Sequence, residues 1–234
     1  MTKKKIETKK TNKKVDLSDI YDKNKAYPIK EALEIVRKIS KTKFDPSLEV
    51  HFRLGINPKK GDQQIRAAVS LPHGTGKEIK VAAFVLPENE AKAKAAGADI
   101  VGGEDLINEI KTKEKTDFDV AVAEPAIMKD LAKIAKILGT RGLMPSPKNE
   151  TVNDKPAEII TELKKGKVSF KNDDTANIHL IFGKLSFNDE KLIDNYQAIL
   201  NAIKKNKPTA SKGVYIKNIS ICSSMSKSIK LSID

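Results

Sequence analysis

The sequence predicts a protein of two domains in the mixed α/β and α+β class. One is a discontinuous α+β sandwich with an antiparallel sheet, and the other is an inserted Rossmann-like three-layer α/β domain. Three observations carry this reading. The apolar rhythm changes twice, at Pro72–Gly76 (PHGTG) and again at Gly166. Between those points strand-like runs alternate with helical patterns, as parallel βαβ units do. Charge divides along the same lines. Residues 1–74 hold 18 basic and 9 acidic side chains, residues 75–166 hold 15 and 16, and residues 167–234 hold 11 and 6. The block charges are +9, −1 and +5, so the whole excess of +13 lies in the two outer parts. The predicted layout is a flexible basic arm over 1–14, a discontinuous domain from 15–74 and 167–234, and an inserted domain over 75–166.

The elements follow in order. Pro28–Thr42 has Ile29, Ala32, Leu33, Val36 and Ile39 at helical spacing, with proline suited to the first turn. Leu48, Val50, Phe52, Leu54 and Ile56 alternate with Glu49, His51 and Arg53, which predicts a half-buried strand. After the polar turn Asn57–Asp62, Gln64–Leu71 reads as a second strand, expected to form an antiparallel hairpin with the first. In the centre, strands are expected at Ile79–Leu86, Asp99–Val101 and Asp117–Ala123. Helices are expected at Glu88–Ala96, Glu104–Lys111, Ala126–Leu138 and Ala157–Lys164. Beyond Gly166, strands at Lys167–Lys171 and Ala176–Lys184 precede a long helix at Asn188–Lys205. Strands at Val214–Ser220 and Ile229–Ile233 close the chain.

Composition removes several classes. At 234 residues the chain holds one or two domains at roughly 150 residues each. No run approaches the ~20 apolar residues of a membrane helix. The lysine-rich start lacks the apolar stretch of a secretory signal. The single cysteine, Cys222, can make no internal disulfide, and with scattered His51, His73 and His179 it suggests no Cys/His zinc cluster. Seven lysines in the first fourteen residues, and a charge larger than solubility needs, point to a polyanionic partner.

Enzymatic motifs do not assemble. His73–Lys77 (HGTGK) lacks the glycine and hydroxyl that a phosphate loop requires, so a domain crossing explains it better. Gly102–Asp105 reads as a tight turn with acidic helix capping, since GxGxxG is absent. No serine lies in an activating motif. Gly139–Lys148 (GTRGLMPSPK) is either a structured loop or a phosphate contact through Arg141 and Lys148. Cys222 reads as an inert strand thiol. Phe44, beside Lys41 and Lys43, is either a nucleotide-stacking ring or a core residue. Ser223–Lys227 (SSMSK) combines hydroxyls, a soft apolar methionine and a cation, which suits RNA backbone contacts.

Taken together, these segments resemble the ribosomal protein L-one family, the first-numbered proteins of the large subunit. The resemblance covers nearly the whole chain after Asp16. It rests on LGINPKKGDQQIRAAVSLPHGTGK (Leu54–Lys77), GTRGLMPSPK (Gly139–Lys148), KGKVSFKND (Lys165–Asp173), KPTASKGVYIK (Lys207–Lys217) and SSMS (Ser223–Ser226). It implies a cytoplasmic, non-enzymatic protein, monomeric off the ribosome, with no cofactor and no membrane partner. Its implied partners are large-subunit ribosomal RNA at the mobile stalk, its own operon messenger RNA, and exit-site tRNA. A translational regulator acting mainly off the ribosome is the alternative. The implied RNA-binding residues are Lys43, Phe44, Ser47, Glu49, Lys171, Asn172, Asp173, Ser224, Met225 and Ser226. The implied hinge is Gly74, Gly76 and Gly166. The chain departs from the family where Thr-Met-Gly becomes Ser224-Met225-Ser226 followed by Lys227. There a serine side chain is expected to intrude on a close backbone approach.

Overall fold

The computed structural model describes residues 21–233, and the basic arm expected over 1–14 lies outside the described residues. Helix α1 (Ile29–Ile39) starts after an extended Pro28 and buries Ala32, Leu33, Ile35, Val36 and Ile39, one apolar stripe. Strand β1 (Ser47–Leu54) buries Leu48, Val50, Phe52 and Leu54 on one face. By the period of two, Glu49, His51 and Arg53 point to the other face.

Strand β2 (Arg66–Ser70) does not form the expected hairpin with β1. Both edges of β1 are taken. It pairs antiparallel with β7 (Asn177–Lys184) on one side and β8 (Ile216–Ser223) on the other. β2 instead pairs antiparallel with β6 (Lys167–Lys171) in a separate two-stranded sheet. The larger sheet runs β7-β1-β8-β9, with β9 (Ile229–Leu231) at its edge. Its inner face packs against α1 and α7 (Asp189–Lys205), which buries Leu192, Tyr196, Ile199 and Ile203.

The central part is built differently. β3 (Val81–Phe84) lies between β4 (Ile100–Gly102) and β5 (Val120–Ala123), all parallel. Every residue of β3 is buried, as a strand covered on both faces must be. Ala82 and Phe84 face α3 (Glu104–Lys113), α4 (Met128–Leu131) and α5 (Ala135–Thr140). Val81 and Ala83 face α2 (Pro87–Ala95) and α6 (Pro156–Lys164). This is the expected three-layer sandwich. The single helix expected at Ala126–Leu138 is instead divided by 3₁₀ turns at Pro125–Ile127 and Ala132–Ile134. Ile127, Leu131, Ile134 and Leu138 nonetheless share one buried face. Among the described residues, no helix is long and apolar enough to cross a membrane.

The two chain crossings touch. Gly74, Gly76 and Gly166 all have positive φ, at 64°, 71° and 108°. A Cβ on Gly166 would lie 2.4 Å from the Gly74 Cα, so only glycine fits this approach. The fully buried Asn195 of α7 clamps the crossing. Its Oδ1 accepts from the His73 N–H at 3.1 Å, and its Nδ2 donates to the carbonyls of Gly74 at 2.9 Å and Phe182 at 2.8 Å. Phe182 is the residue that the β1–β7 register passes over, which frees its carbonyl for this bond. Below the crossing, Lys167 pairs with both Glu150 and Glu162. Burial works to lower its pKa, but the two carboxylates outweigh burial and hold it above its ordinary value.

Candidate nucleic-acid interface

The sequence-predicted site residues fall along the outer face and both ends of the four-stranded sheet. At one end the loop after α1 meets the turn after β8. The Ser224 N–H donates to the Ser47 carbonyl at 3.0 Å, and the Ser224 hydroxyl lies 3.5 Å from the same oxygen. Lys184 Nζ donates to Ser47 Oγ at 3.1 Å, and Ser223 Oγ to Ser40 Oγ at 2.9 Å. These bonds bring Lys43, Phe44, Ser47, Ser224, Met225 and Ser226 together.

Two large apolar side chains stand in solvent there. Phe44 is 59% exposed and Met225 is 91% exposed. A core role for Phe44 is thereby excluded. Thr42 Oγ1 donates to the Phe44 carbonyl at 2.9 Å and holds the loop that presents the ring. Met225 has φ of 67°, in the left-handed region. That costs a non-glycine residue about 1–2 kcal/mol. An apolar side chain held in water on a strained backbone gains nothing in the free protein, and such positions cluster at binding sites.

The Ser226 departure has a simple local form. Its N–H donates to the Ser223 carbonyl and its hydroxyl accepts from the Ser223 N–H, both at 2.9 Å. The side chain is folded back into its own turn. The position with positive φ is Met225, so the turn does not require glycine at 226.

At the far end of the sheet, Lys171, Asn172 and Asp173 leave β6. Asn172 Oδ1 accepts from the Ile65 N–H at 2.7 Å, and the Asn172 N–H donates to the Ile65 carbonyl at 3.2 Å. This side chain extends the small sheet. Asp173 Oδ1 accepts from the N–H groups of Thr175 (2.9 Å) and Asn177 (2.6 Å), and Oδ2 accepts from Thr175 Oγ1 (2.7 Å). Burial works to raise this carboxyl, but the bonds from Asn177 and Thr175 outweigh it and hold the pKa well below the usual carboxylate range. Both side chains therefore shape the turn and leave Lys171 exposed there, directly across from the also exposed Arg66.

Between the two ends lies Glu49, directly opposite Cys222 across β1 and β8. Sequence reading gave no role to its neighbours His51 and His179, whose rings meet at the middle of the face. The one available signal was the shared parity of Glu49 and His51 in β1. Asn195 carried no signal, because a polar residue in a helix reads as surface. Arg141, one of the possible phosphate contacts, is engaged within the inserted domain instead, donating to Thr116 Oγ1 and to the Glu114 carbonyl.

Comparison with known proteins agrees with this architecture. The model of the ribosomal protein L1p/L10e family matches residues 36–227. "Large ribosomal subunit protein uL1" of Kosmotoga olearia is 46% identical over 223 residues, covering 95% of this chain and 96% of that protein. The protein of the same description from Persephonella marina is 44% identical over 228 residues, covering 96% and 94%. The charge division, the inserted α/β domain and the near-full-length match together make this chain a member of the ribosomal protein L-one family, a structural family of the ribosome rather than an enzyme.

Proposed function

We propose that this protein binds large-subunit ribosomal RNA at the mobile stalk, near the exit tRNA site, through the outer end of its four-stranded sheet. The observation that carries this is the pairing of exposed Phe44 and Met225 on loops tied by Ser47 and Ser224. Apolar surfaces of this kind pack on unstacked bases and sugars, while hydroxyls reach 2′-hydroxyl groups. Lys43 and Lys171 neutralise phosphates at the two ends of the footprint. Glu49, Asn172, Asp173 and Ser226 line or shape the same surface.

The RNA-binding domain comprises residues 15–74 and 167–234 in this reading, and residues 75–166 form a body that moves on Gly74, Gly76 and Gly166. That body adds lesser contacts to RNA or to exit-site tRNA. The same surface serves the protein's own operon messenger RNA, which supports repression of its translation. Competition between ribosomal and messenger RNA fragments distinguishes the two uses.

The test is titration of the purified protein against the stalk region of ribosomal RNA across salt, with excess tRNA as competitor. Binding that survives competitor supports a specific site. Binding that collapses with competitor and salt reduces the interaction to a polycation effect. Met225→Ala should weaken specific binding by about 1–3 kcal/mol, the range for losing a stacking partner. An unchanged affinity at fixed salt, with a folded variant, removes Met225 from the interface.

A further inference from the structure

The middle of the outer sheet face holds a group of side chains whose shared chemistry the RNA reading leaves unused, although Glu49 lies on the proposed RNA surface. Glu49, His51 and Cys222 each offer a donor atom, and those atoms lie within 4.8 Å of one another. His51 Nε2 is 3.2 Å from Cys222 Sγ and 3.9 Å from Glu49 Oε2. In a tetrahedral zinc site, bond lengths of 2.0–2.3 Å place neighbouring ligand atoms about 3.3–3.7 Å apart. The two separations bracket that spacing. All three residues stand on paired strands, Glu49 opposite Cys222 and His51 opposite Ser220, so the sheet itself sets their geometry.

The histidine is also prepared for the task. His51 Nδ1 lies 2.8 Å from His179 Nδ1, and two nitrogens at that distance share one proton. His179 Nε2 faces Asp173 Oδ2 at 3.5 Å, and the turn around Asp173 keeps that carboxylate ionised. A carboxylate favours N–H on the Nε2 of His179, which leaves its Nδ1 as acceptor. His51 then donates from Nδ1, and its Nε2 lone pair is left facing Cys222 and Glu49. A carboxylate–histidine chain behind a ligating imidazole is the usual support of a metal ligand. The set is open to solvent on one side, with His51 24% and Glu49 37% exposed, so water can complete the coordination.

We propose that Glu49, His51 and Cys222 form a zinc-binding site on the outer sheet face, with His179 as its positioning residue. A thiolate, an imidazole and a carboxylate suit Zn²⁺ and do not suit Mg²⁺ or Ca²⁺, which prefer all-oxygen shells. The pairing of β1, β7 and β8 brings together one cysteine and two histidines that lie far apart in the sequence. The inference rests on side-chain geometry and not on the RNA reading, with which it shares Glu49.

The test is titration of Co²⁺ into the reduced full-length protein, followed by Zn²⁺. The expected result is uptake of one equivalent with a thiolate-to-cobalt charge-transfer band that Zn²⁺ removes. Cys222→Ser should abolish the band. Glu49→Gln, a surface change, should weaken binding about tenfold or more, and His179→Phe should weaken it about 10–100-fold. Circular dichroism checks the fold of each variant, and Glu49→Gln suffices if the others do not fold. Absence of the band in the wild-type protein overturns the proposal. So does equal Co²⁺ affinity in the folded Glu49→Gln protein, which would mean that the thiol alone captures the metal.

Discussion

Asn195→Leu tests whether one buried amide holds the crossing between the two domains. The substitution keeps a side chain of similar volume in α7 but removes three hydrogen bonds, to the His73 N–H and to the carbonyls of Gly74 and Phe182. Asn195 is fully buried, and leucine in its place offers these three groups no partner. Each bond contributes about 1 kcal/mol net, so the loss should be about 3 kcal/mol. At 2–4 °C per kcal/mol for a chain of this size, the melting midpoint should fall by about 6–12 °C. The assay is thermal and urea unfolding by far-ultraviolet circular dichroism, with hydrogen exchange at the His73 amide as the local readout. That amide should lose protection together with the global stability. A midpoint shift below about 2 °C, or unchanged protection at His73, would refute the clamp and place the stability of the crossing elsewhere.

Three further outcomes follow from the same geometry. Met225→Gly should weaken RNA binding as much as Met225→Ala does, yet raise the melting midpoint by about 2–8 °C relative to it, because glycine relieves the left-handed strain; equal midpoints would mean that the turn is unstrained. Gly166→Ala should lower stability by about 1–3 kcal/mol, since a Cβ would meet the Gly74 backbone at a positive φ; a neutral urea midpoint would show that the crossing can open without cost. Asp173 has a depressed pKa, so its contribution is full above the unfolded value of about 3.9 and is lost as pH falls below it. Asp173→Asn should therefore flatten the acid limb of the stability profile, and an unchanged slope between about pH 4 and pH 2 would assign that limb to other carboxylates.

Much of this fold was legible because its signals are local. Leu48, Val50, Phe52 and Leu54 alternate cleanly, and the central βαβ rhythm needs no knowledge of partners. Strand pairing was not legible, because it joins distant segments. β1 takes β7 and β8 as neighbours while the adjacent β2 goes to β6, and nothing in the composition of β2 distinguishes that partner from β1. The zinc site is a consequence of the same long-range pairing. Glu49 and His51 share a face by parity alone, but the partners of His51 are 128 and 171 residues away. The tip of the candidate RNA interface shows a different limit. The family pattern drew attention to Ser226, where glycine is usual, yet the left-handed residue is Met225. Methionine has no preference for that conformation, so no propensity could indicate it. The bonds of Ser226 to Ser223 and the tie of Ser224 to Ser47 hold it there. Positions where local preference is overruled by the surroundings, leaving an apolar side chain in water, are expected at functional sites. On that argument Met225, rather than the substituted Ser226, is the residue whose substitution tests the proposed interface first.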